Sequence, residues 1–376
     1  MEAVIAGIGQ TEFSKDSGRS PLQLAVEASR AAIADAGLAP ADIDGSVTFQ
    51  LDKNEETRVM ANLGIPQLRF SSRTRGGGGG ACATVQHAAA AVASGQANAV
   101  LIWRAFNERS GQRFGQPTRR PPDPAWDFYR PFGLDTPAKI YGLAFQRYMH
   151  RYGLTNADFG LYTVVARQYA STNPNAWFYK RPITIDDHQA SRWIVEPLLR
   201  LLDCCQESDG GVALVVTGED QSKFLPNQAA RIAAASAATL QAGDELFNYY
   251  RPDLTTFEEA RVLARDLWSR SGYGPWDMDV AMIYENFSPV VFLQLEALGY
   301  CGAGEARDLI ASGAIGSGGR IPVNTNGGLL GEGYIHGMNN VLEAVRQLRG
   351  TAPNQVTDAA RVLVSAGRSG LILERA

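Results

Sequence analysis

A glycine-rich turn followed by a helix that begins with small residues occurs once in each half of this chain. In the first half, Gly76–Gly80 precedes an alanine-rich stretch from about Cys82 to Ser94, and a strand-like run, Ala99–Trp103, follows. In the second half, Gly327-Gly328 precedes a loop and a stretch from about Met338 to Leu348 with helical character. A unit that recurs in this way is typical of an internal duplication.

Short β-branched runs alternate with alanine-rich helical stretches over the rest of the chain, which is the pattern of an α/β protein. The first helix is marked by Ser20 as N-cap, Pro21 at its first position and Gly37 after its last turn. We predict two halves, residues 1–222 and 223–376, with an excursion at about 105–200 that lies over the site. Further strands are predicted near 46–50, 212–217, 231–235, 280–283, 361–365 and 371–374, and further helices near 137–152, 156–171, 256–271 and after Pro289.

Charge and cysteine content exclude several classes of function. The net charge of −4 over 376 residues gives no electrostatic reason to expect nucleic acid or an anionic membrane as partner. No apolar run approaches the roughly 20 residues of a membrane helix, and Met1 leads directly into a strand-like run rather than a secretion signal. The four cysteines, Cys82, Cys204, Cys205 and Cys301, have no C-x-x-C spacing. We therefore expect reduced thiols, no metal site and a cytoplasmic location.

Six segments carry a resemblance to a known superfamily, and none of them would be specific alone. They are 24–38 with the following Asp42-Ile43-Asp44, 78–95, 191–210, 284–288, 322–328 and 333–337. Together they resemble the thiolase superfamily over nearly the whole length, and most closely its sterol-carrier-protein and lipid-transfer-protein branch. The resemblance implies a five-layered α/β/α/β/α fold made of two similar halves, and a homodimer formed through the N-terminal half.

The positions that carry catalysis in thiolases are all changed here. The nucleophilic cysteine of that family falls at Gly78, and glycine cannot form an acyl-enzyme. The histidine or asparagine of a second motif is replaced by Tyr284, and the histidine of the Gly-His-Pro motif by Tyr334. The last catalytic cysteine falls near Val364 or Ser365. Cys82, one helical turn beyond Gly78, is interpreted as a core residue because free cysteine packs as a small hydrophobe.

This replacement pattern resembles the lipid-transfer-protein-type aldolases of bacterial steroid side-chain degradation. The resemblance implies retro-aldol cleavage of a tertiary β-hydroxyacyl-CoA, with a 17-hydroxy C22-type side chain, to a 17-ketosteroid and propionyl-CoA. It also implies a small partner protein with an OB fold and a zinc ribbon, giving a heterotetramer or larger assembly. No cofactor is expected in this chain, since CoA is part of the substrate.

Two tyrosines suit this reaction, because retro-aldol cleavage needs a base at the β-hydroxyl and an acid at the α-carbon. We expect neighbours to lower the pKa of one tyrosine so that it acts as base; the sequence does not assign which. Backbone N–H groups at Gly78 and at the Gly367-Arg368 stretch are expected to stabilise the enolate oxygen. The missing side chain at residue 78 is expected to leave room for a branched substrate.

Supporting residues have competing interpretations. Glu285 and Asn286 either orient a tyrosine or satisfy backbone groups at the strand end, and His336 either assists catalysis or caps the following helix. Arg113, Arg119 and Arg120 are candidates for the CoA phosphates, for partner carboxylates or for solvent. The list of catalytic and supporting candidates is Tyr284, Tyr334, Gly78, Gly367, Asn286, His336 and Glu285, with no metal ligand.

Two rival functions stay open at this point. One is a thiolase-like subunit that cleaves a β-ketoacyl-CoA with nucleophilic help from an unexpected residue, which an acylated cysteine would reveal. The other is a non-catalytic lipid- or acyl-CoA-binding relative. That protein would bind acyl-CoA tightly without turnover, whether or not Tyr284 and Tyr334 are changed to Phe.

Overall fold

The computed structural model describes residues 3–116, 127–240, 249 and 251–376. The predicted elements are present with bounds shifted by a few residues. The helices at 56–63, 185–190, 306–311 and 328–331 and the strands at 70–74, 193–195 and 199–200 were not predicted. The strands are β1 (Ala3–Gln10), β2 (Gly45–Phe49), β3 (Phe70–Thr74), β4 (Ala99–Asn107), β5 (Trp193–Val195), β6 (Leu199–Arg200), β7 (Asp209–Gly218), β8 (Ala230–Ala237), β9 (Val280–Ile283), β10 (Arg361–Ser365) and β11 (Ser369–Arg375). The helices are α1 (Pro21–Asp35), α2 (Glu56–Leu63), α3 (Ala81–Ala93), α4 (Pro137–Tyr152), α5 (Asn156–Thr172), α6 (Ile185–Ala190), α7 (Glu258–Ser271), α8 (Pro289–Leu298), α9 (Ala306–Ala311), α10 (Gly328–Gly331) and α11 (Met338–Arg349).

Helix α1 begins and ends where its sequence signals place it. The Ser20 side chain accepts a hydrogen bond from the Gln23 N–H, and Pro21 occupies the first turn. Gly37 follows the helix with a φ of 68°, a backbone conformation that glycine adopts without steric cost.

Nine strands in the described residues form one mixed sheet in the order β3-β2-β4-β7-β1-β8-β11-β10-β9. Its two parts meet at β1 and β8, where the pairs Val4–Arg231 and Ile5–Ala230 join them. Outward from this junction, each part has two antiparallel pairings and then parallel ones. A parallel bridge between Ala281 and Val323 stands where the second part would have a fifth strand. The two parts therefore share strand order and direction.

The layers follow from the alternation of side chains along each strand. Ile102 of β4 and Met282 of β9 point inward and share one core with α3 and α11, which lie between the two parts of the sheet. Their neighbours point outward: Trp103 packs with α1, and Ile283 packs with α7 and α8. The order helix, sheet, helix, sheet, helix is the five-layered thiolase-like arrangement that the resemblance implied.

The excursion of the first half is anchored in the core of the second. Phe145 of α4 and Phe159 of α5 are fully buried in the same cluster as Phe292 of α8. The rings of Phe159 and Phe292 meet edge to face with centroids 5.2 Å apart. This docking places Tyr141 of α4 beside the strand end that carries the site. Among the residues described, no helix is long and apolar enough to cross a membrane.

Candidate active site

The end of β9 positions the first tyrosine. The Tyr284 N–H donates to the Ser365 carbonyl at 2.8 Å, and the Gln294 side chain donates to the Tyr284 carbonyl at 2.6 Å. The Ser365 hydroxyl in turn donates to the Gln294 amide oxygen at 2.7 Å. Both backbone groups of Tyr284 are therefore fixed, and its ring leaves the sheet toward the N-terminus of α3.

The second tyrosine lies on the loop after α10 and meets the first. The Tyr334 N–H donates to the Ser208 hydroxyl at 3.3 Å, and residue 334 forms a parallel bridge with Glu207. The two phenol oxygens are 2.9 Å apart, with Tyr284 only 9% and Tyr334 only 7% exposed. At this distance one of the two hydroxyls donates a direct hydrogen bond to the other.

Glycine at residue 78 is required by the Tyr284 ring. A Cβ on Gly78 would lie 1.9 Å from Tyr284 Cε2 and 2.5 Å from its hydroxyl, while one on Gly337 would lie 2.9 Å from Cδ2. The ring is thus seated between two glycines. The expectation that Gly78 leaves room for a branched substrate is wrong, because the phenol of Tyr284 occupies that space.

The expected lowering of a tyrosine pKa is also wrong. Burial raises the pKa of Tyr284 well above its ordinary value, and the thiol of Cys205 adds to the increase. Burial likewise raises the pKa of Tyr334, and Tyr284 itself adds to this. Because a buried phenolate beside other acidic groups is unfavourable, both tyrosines are held in the neutral, protonated form.

The C-terminal glycine loop lies against the turn that contains Gly78. The Ser369 hydroxyl donates to the Gly79 carbonyl at 2.7 Å, which joins the two loops. Gly367 has a φ of 79°, and its N–H already donates to the Ser365 hydroxyl at 3.3 Å. The predicted approach of the two loops is present, but the Gly367 N–H has a partner within the chain.

The Glu285 carboxyl has hydrogen-bond partners other than Tyr284 and Tyr334. Its Oε1 accepts from the Leu329 N–H at 2.7 Å and from the Tyr162 hydroxyl at 2.9 Å. Burial raises its pKa to about 8, so the carboxyl is protonated at neutral pH. The Asn286 side chain instead shares a hydrogen bond with Tyr141 on α4. These two residues tie the strand end to the surrounding helices.

His336 does not cap helix α11; it lies beside the tyrosine pair. Its Nδ1 accepts from Arg104 Nε at 3.0 Å, and its ring meets the Tyr334 ring edge-on with centroids 5.2 Å apart. Arg104 and its carboxylate partner Asp52 were missed by the sequence analysis, which ended the strand at Trp103. The sequence signal that could have identified this pair is the charged Arg104 between the apolar residues of β4.

Of the three candidate CoA arginines, the structure describes only Arg113. Arg113 Nε is 2.6 Å from Glu207 Oε2, so its guanidinium is engaged by a carboxylate of the same chain. Arg119 and Arg120 lie outside the described residues, and a role for any of the three in CoA binding stays a prediction. Among the residues that the structure describes, no group of three or more His, Cys, Asp or Glu side chains is placed to hold a metal ion.

The cysteines are poorly suited to nucleophilic catalysis. Cys82 is fully buried on α3, as predicted, with its sulfur 3.7 Å from the Val364 carbonyl. Burial raises the pKa of Cys82 and of Cys301 to about 12, and it also raises the pKa of Cys204 and of Cys205. The reactive form of cysteine is the thiolate, which is scarce at these pKa values.

The fold is that of the thiolases, with a buried pair of tyrosines at the position where the resemblance places the cysteine nucleophile. Residues 225–376 match the family model described as "Thiolase C-terminal domain-like". The chain is 53% identical over 381 residues to a "Steroid side-chain-cleaving aldolase" of Thermomonospora curvata, covering 99% of this chain and 97% of that protein. It is 52% identical to the "17-hydroxy-3-oxo-4-pregnene-20-carboxyl-CoA lyase" of Mycobacterium tuberculosis, covering 99% of both.

A solved structure agrees with these relatives. The complex named "Ltp2-ChsH2(DUF35) aldolase" has a chain that superposes with a TM-score of 0.94 at 52% identity, covering 100% of this chain and 98% of that one. The chain belongs to the family of steroid side-chain-cleaving aldolases within the thiolase superfamily, and it is a carbon–carbon lyase.

Proposed function

We propose that this chain catalyses retro-aldol cleavage of a steroid tertiary β-hydroxyacyl-CoA, with a 17-hydroxy C22-type side chain, to a 17-ketosteroid and propionyl-CoA. The observation that carries the proposal is the 2.9 Å contact between the hydroxyls of Tyr284 and Tyr334 at the former nucleophile position. The names of the close relatives support the substrate class.

The raised pKa values favour a relay between neutral tyrosines over a standing tyrosinate base. As the substrate β-hydroxyl proton moves to one phenol oxygen, that phenol passes its own proton to the other, which protonates the α-carbon. The broken carbon–carbon bond supplies the electron pair of a thioester enolate, and that pair takes up the proton at the α-carbon. Both tyrosines end neutral, so no acyl-enzyme and no resident cofactor are needed.

The thiolytic rival is disfavoured by the same site. It needs a thiolate, whereas burial raises the pKa of each of the four cysteines. It also needs space at residue 78, which the Tyr284 ring fills. The non-catalytic rival does not explain why two hydroxyls are buried together. A buried hydrogen-bonded pair stabilises a fold little more than two apolar groups of the same shape would.

We further propose that the chain works with a DUF35 partner that has an OB fold and a zinc ribbon, in a heterotetramer or larger assembly built on a homodimer of N-terminal halves. The name of the solved relative, which includes ChsH2(DUF35), supports a DUF35 partner. The cytoplasm is the proposed location.

A product assay on the chain co-expressed with its proposed partner tests this function. The complex receives the steroid β-hydroxyacyl-CoA without free CoA, and the ketosteroid and propionyl-CoA are quantified. Tyr284→Phe and Tyr334→Phe are each expected to lower kcat by about 100- to 10,000-fold, the usual contribution of general acid–base catalysis. Tyr179→Phe is the matched control, because Tyr179 is 38% exposed. Binding of the thioester by the wild-type complex without products would refute the aldolase.

A further inference from the structure

A buried ion pair between Arg104 and Asp52 contacts the Nδ1 edge of the His336 ring. Arg104 is 1% exposed, and its Nη1 is 3.0 Å from Asp52 Oδ2. The same carboxylate oxygen accepts from the Ala105 N–H at 3.0 Å. The guanidinium therefore has little freedom, and its Nε points at His336 Nδ1 at 3.0 Å.

This contact fixes the tautomer of the imidazole. An arginine Nε–H only donates, so His336 Nδ1 must be the acceptor and carry the lone pair. Burial and the charge of Arg104 lower the pKa of His336 well below its ordinary value, so the ring is neutral. A neutral imidazole has one N–H, which therefore lies on Nε2.

The free edge of the ring faces the former nucleophile turn. A Cβ on Gly77 would lie 3.4 Å from His336 Nε2, closer than to any other atom of the ring. In the part of the chain that the structure describes, Nε2 has no hydrogen-bond partner, while Nδ1 has Arg104. Aromatic rings surround the imidazole, with centroids at 6.0 Å (Phe49), 5.2 Å (Phe106) and 5.4 Å (Phe114).

We propose that the His336 Nε2–H donates a hydrogen bond to the thioester oxygen as the enolate forms, and that Arg104 is the positioning residue that sets this tautomer. The proposal rests on the aldolase function proposed above. It gives the enolate a fixed, uncharged donor in an apolar cage, where such a donor is worth most. The His336 Nε2–H would take the role expected of the Gly367 N–H, which instead donates to the Ser365 hydroxyl.

Two substitutions at one residue separate a donor from a packing role. Loss of a single enolate donor typically lowers kcat by about 100- to 1,000-fold. We expect that loss in His336→Leu with KM little changed, because the donor acts mainly in the transition state. His336→Gln places an amide N–H near the Nε2 position and should recover at least part of the lost kcat. His150→Leu is the control on an exposed histidine. Equal kcat in the Leu and Gln variants would overturn the donor role.

The tautomer is measured without activity. The chain has four histidines, so 15N-histidine labelling of this chain alone, assembled with an unlabelled partner and with His336→Gln for assignment, gives four ring systems. The expected result is a proton on Nε2 that persists from pH 6 to 9. Arg104→Met combined with Asp52→Asn, which removes both charges together, should mix the tautomers and lower kcat. A proton on Nδ1 in the wild type would refute the proposal even where the products form. If no products form at all, the aldolase function fails instead.

Discussion

Replacing Gly78 by alanine would place a methyl carbon inside the Tyr284 ring. The added Cβ would lie 1.9 Å from Cε2 and 2.2 Å from Cζ. The ring also cannot recede toward Gly337, where it already approaches the backbone closely, so it must rotate out of its seat. Overpacking of this kind costs about 1–3 kcal/mol of folding free energy.

The displaced phenol would lose its 2.9 Å contact with Tyr334. If the two hydroxyls form one relay, Gly78→Ala should therefore lower kcat about as much as Tyr284→Phe, by 100- to 10,000-fold or so. Product formation and urea unfolding are measured on the same preparation. Gly79→Ala is the matched control, because a Cβ there would meet its nearest atoms, in Arg368, at an ordinary 3.5 Å.

A double-mutant cycle makes the steric argument specific. In a Tyr284→Ala background the clash is absent, so Gly78→Ala should cost little further stability. The coupling energy between the two sites should then be about 1–3 kcal/mol. Additive effects, or a Gly78→Ala enzyme with wild-type kcat, would refute the claim that the glycine exists to seat the tyrosine.

Three further results are expected. Because burial raises both tyrosine pKa values, kcat should stay level from pH 6 to 9, and a tenfold rise per pH unit would indicate a tyrosinate base instead. The pKa of Glu285 is about 8 in the folded chain and near 4.3 when unfolded, so wild-type stability should fall as pH rises from about 5 to 8. Glu285→Gln, which keeps the accepting Oε1, should make the stability measured in urea titrations less dependent on pH. An unchanged pH dependence in this variant would show that Glu285 is not its source. Iodoacetamide at neutral pH should leave turnover intact, because burial raises the pKa of Cys82 to about 12, and inactivation by one alkylated cysteine would contradict this.

Local signals were enough for most elements of the fold. Ser20 and Pro21 mark the start of α1, and the apolar run before Tyr284 gives the bounds of β9 as the structure has them. The strand β4 was predicted to end at Trp103, four residues early and just before the charged Arg104. Its burial is possible only through Asp52, a partner 52 positions away that no local pattern reveals.

The two tyrosines were identified from the sequence, but their pKa values were not predicted correctly. The resemblance to thiolases pointed to Tyr284 and Tyr334, which are 50 residues apart and in direct contact. Their pKa values are raised because the fold buries both side chains away from water, and the sequence alone does not show how deeply a side chain is buried. The contact between Arg104 and His336 spans 232 positions, so its effect on the tautomer is a property of the packed structure alone.

The geometry also explains why the change from cysteine chemistry to tyrosine chemistry involves two positions together. A tyrosine at residue 284 cannot coexist with a side chain at residue 78, since even a Cβ there would overlap its ring. Conversely, a glycine at residue 78 beside a small residue at 284 would leave no nucleophile and only one tyrosine of the proposed relay. Gly78→Cys alone should therefore restore no thiolase activity. Among chains of this fold, glycine at the nucleophile position paired with tyrosine at the end of β9 should then mark lyases rather than thiolases.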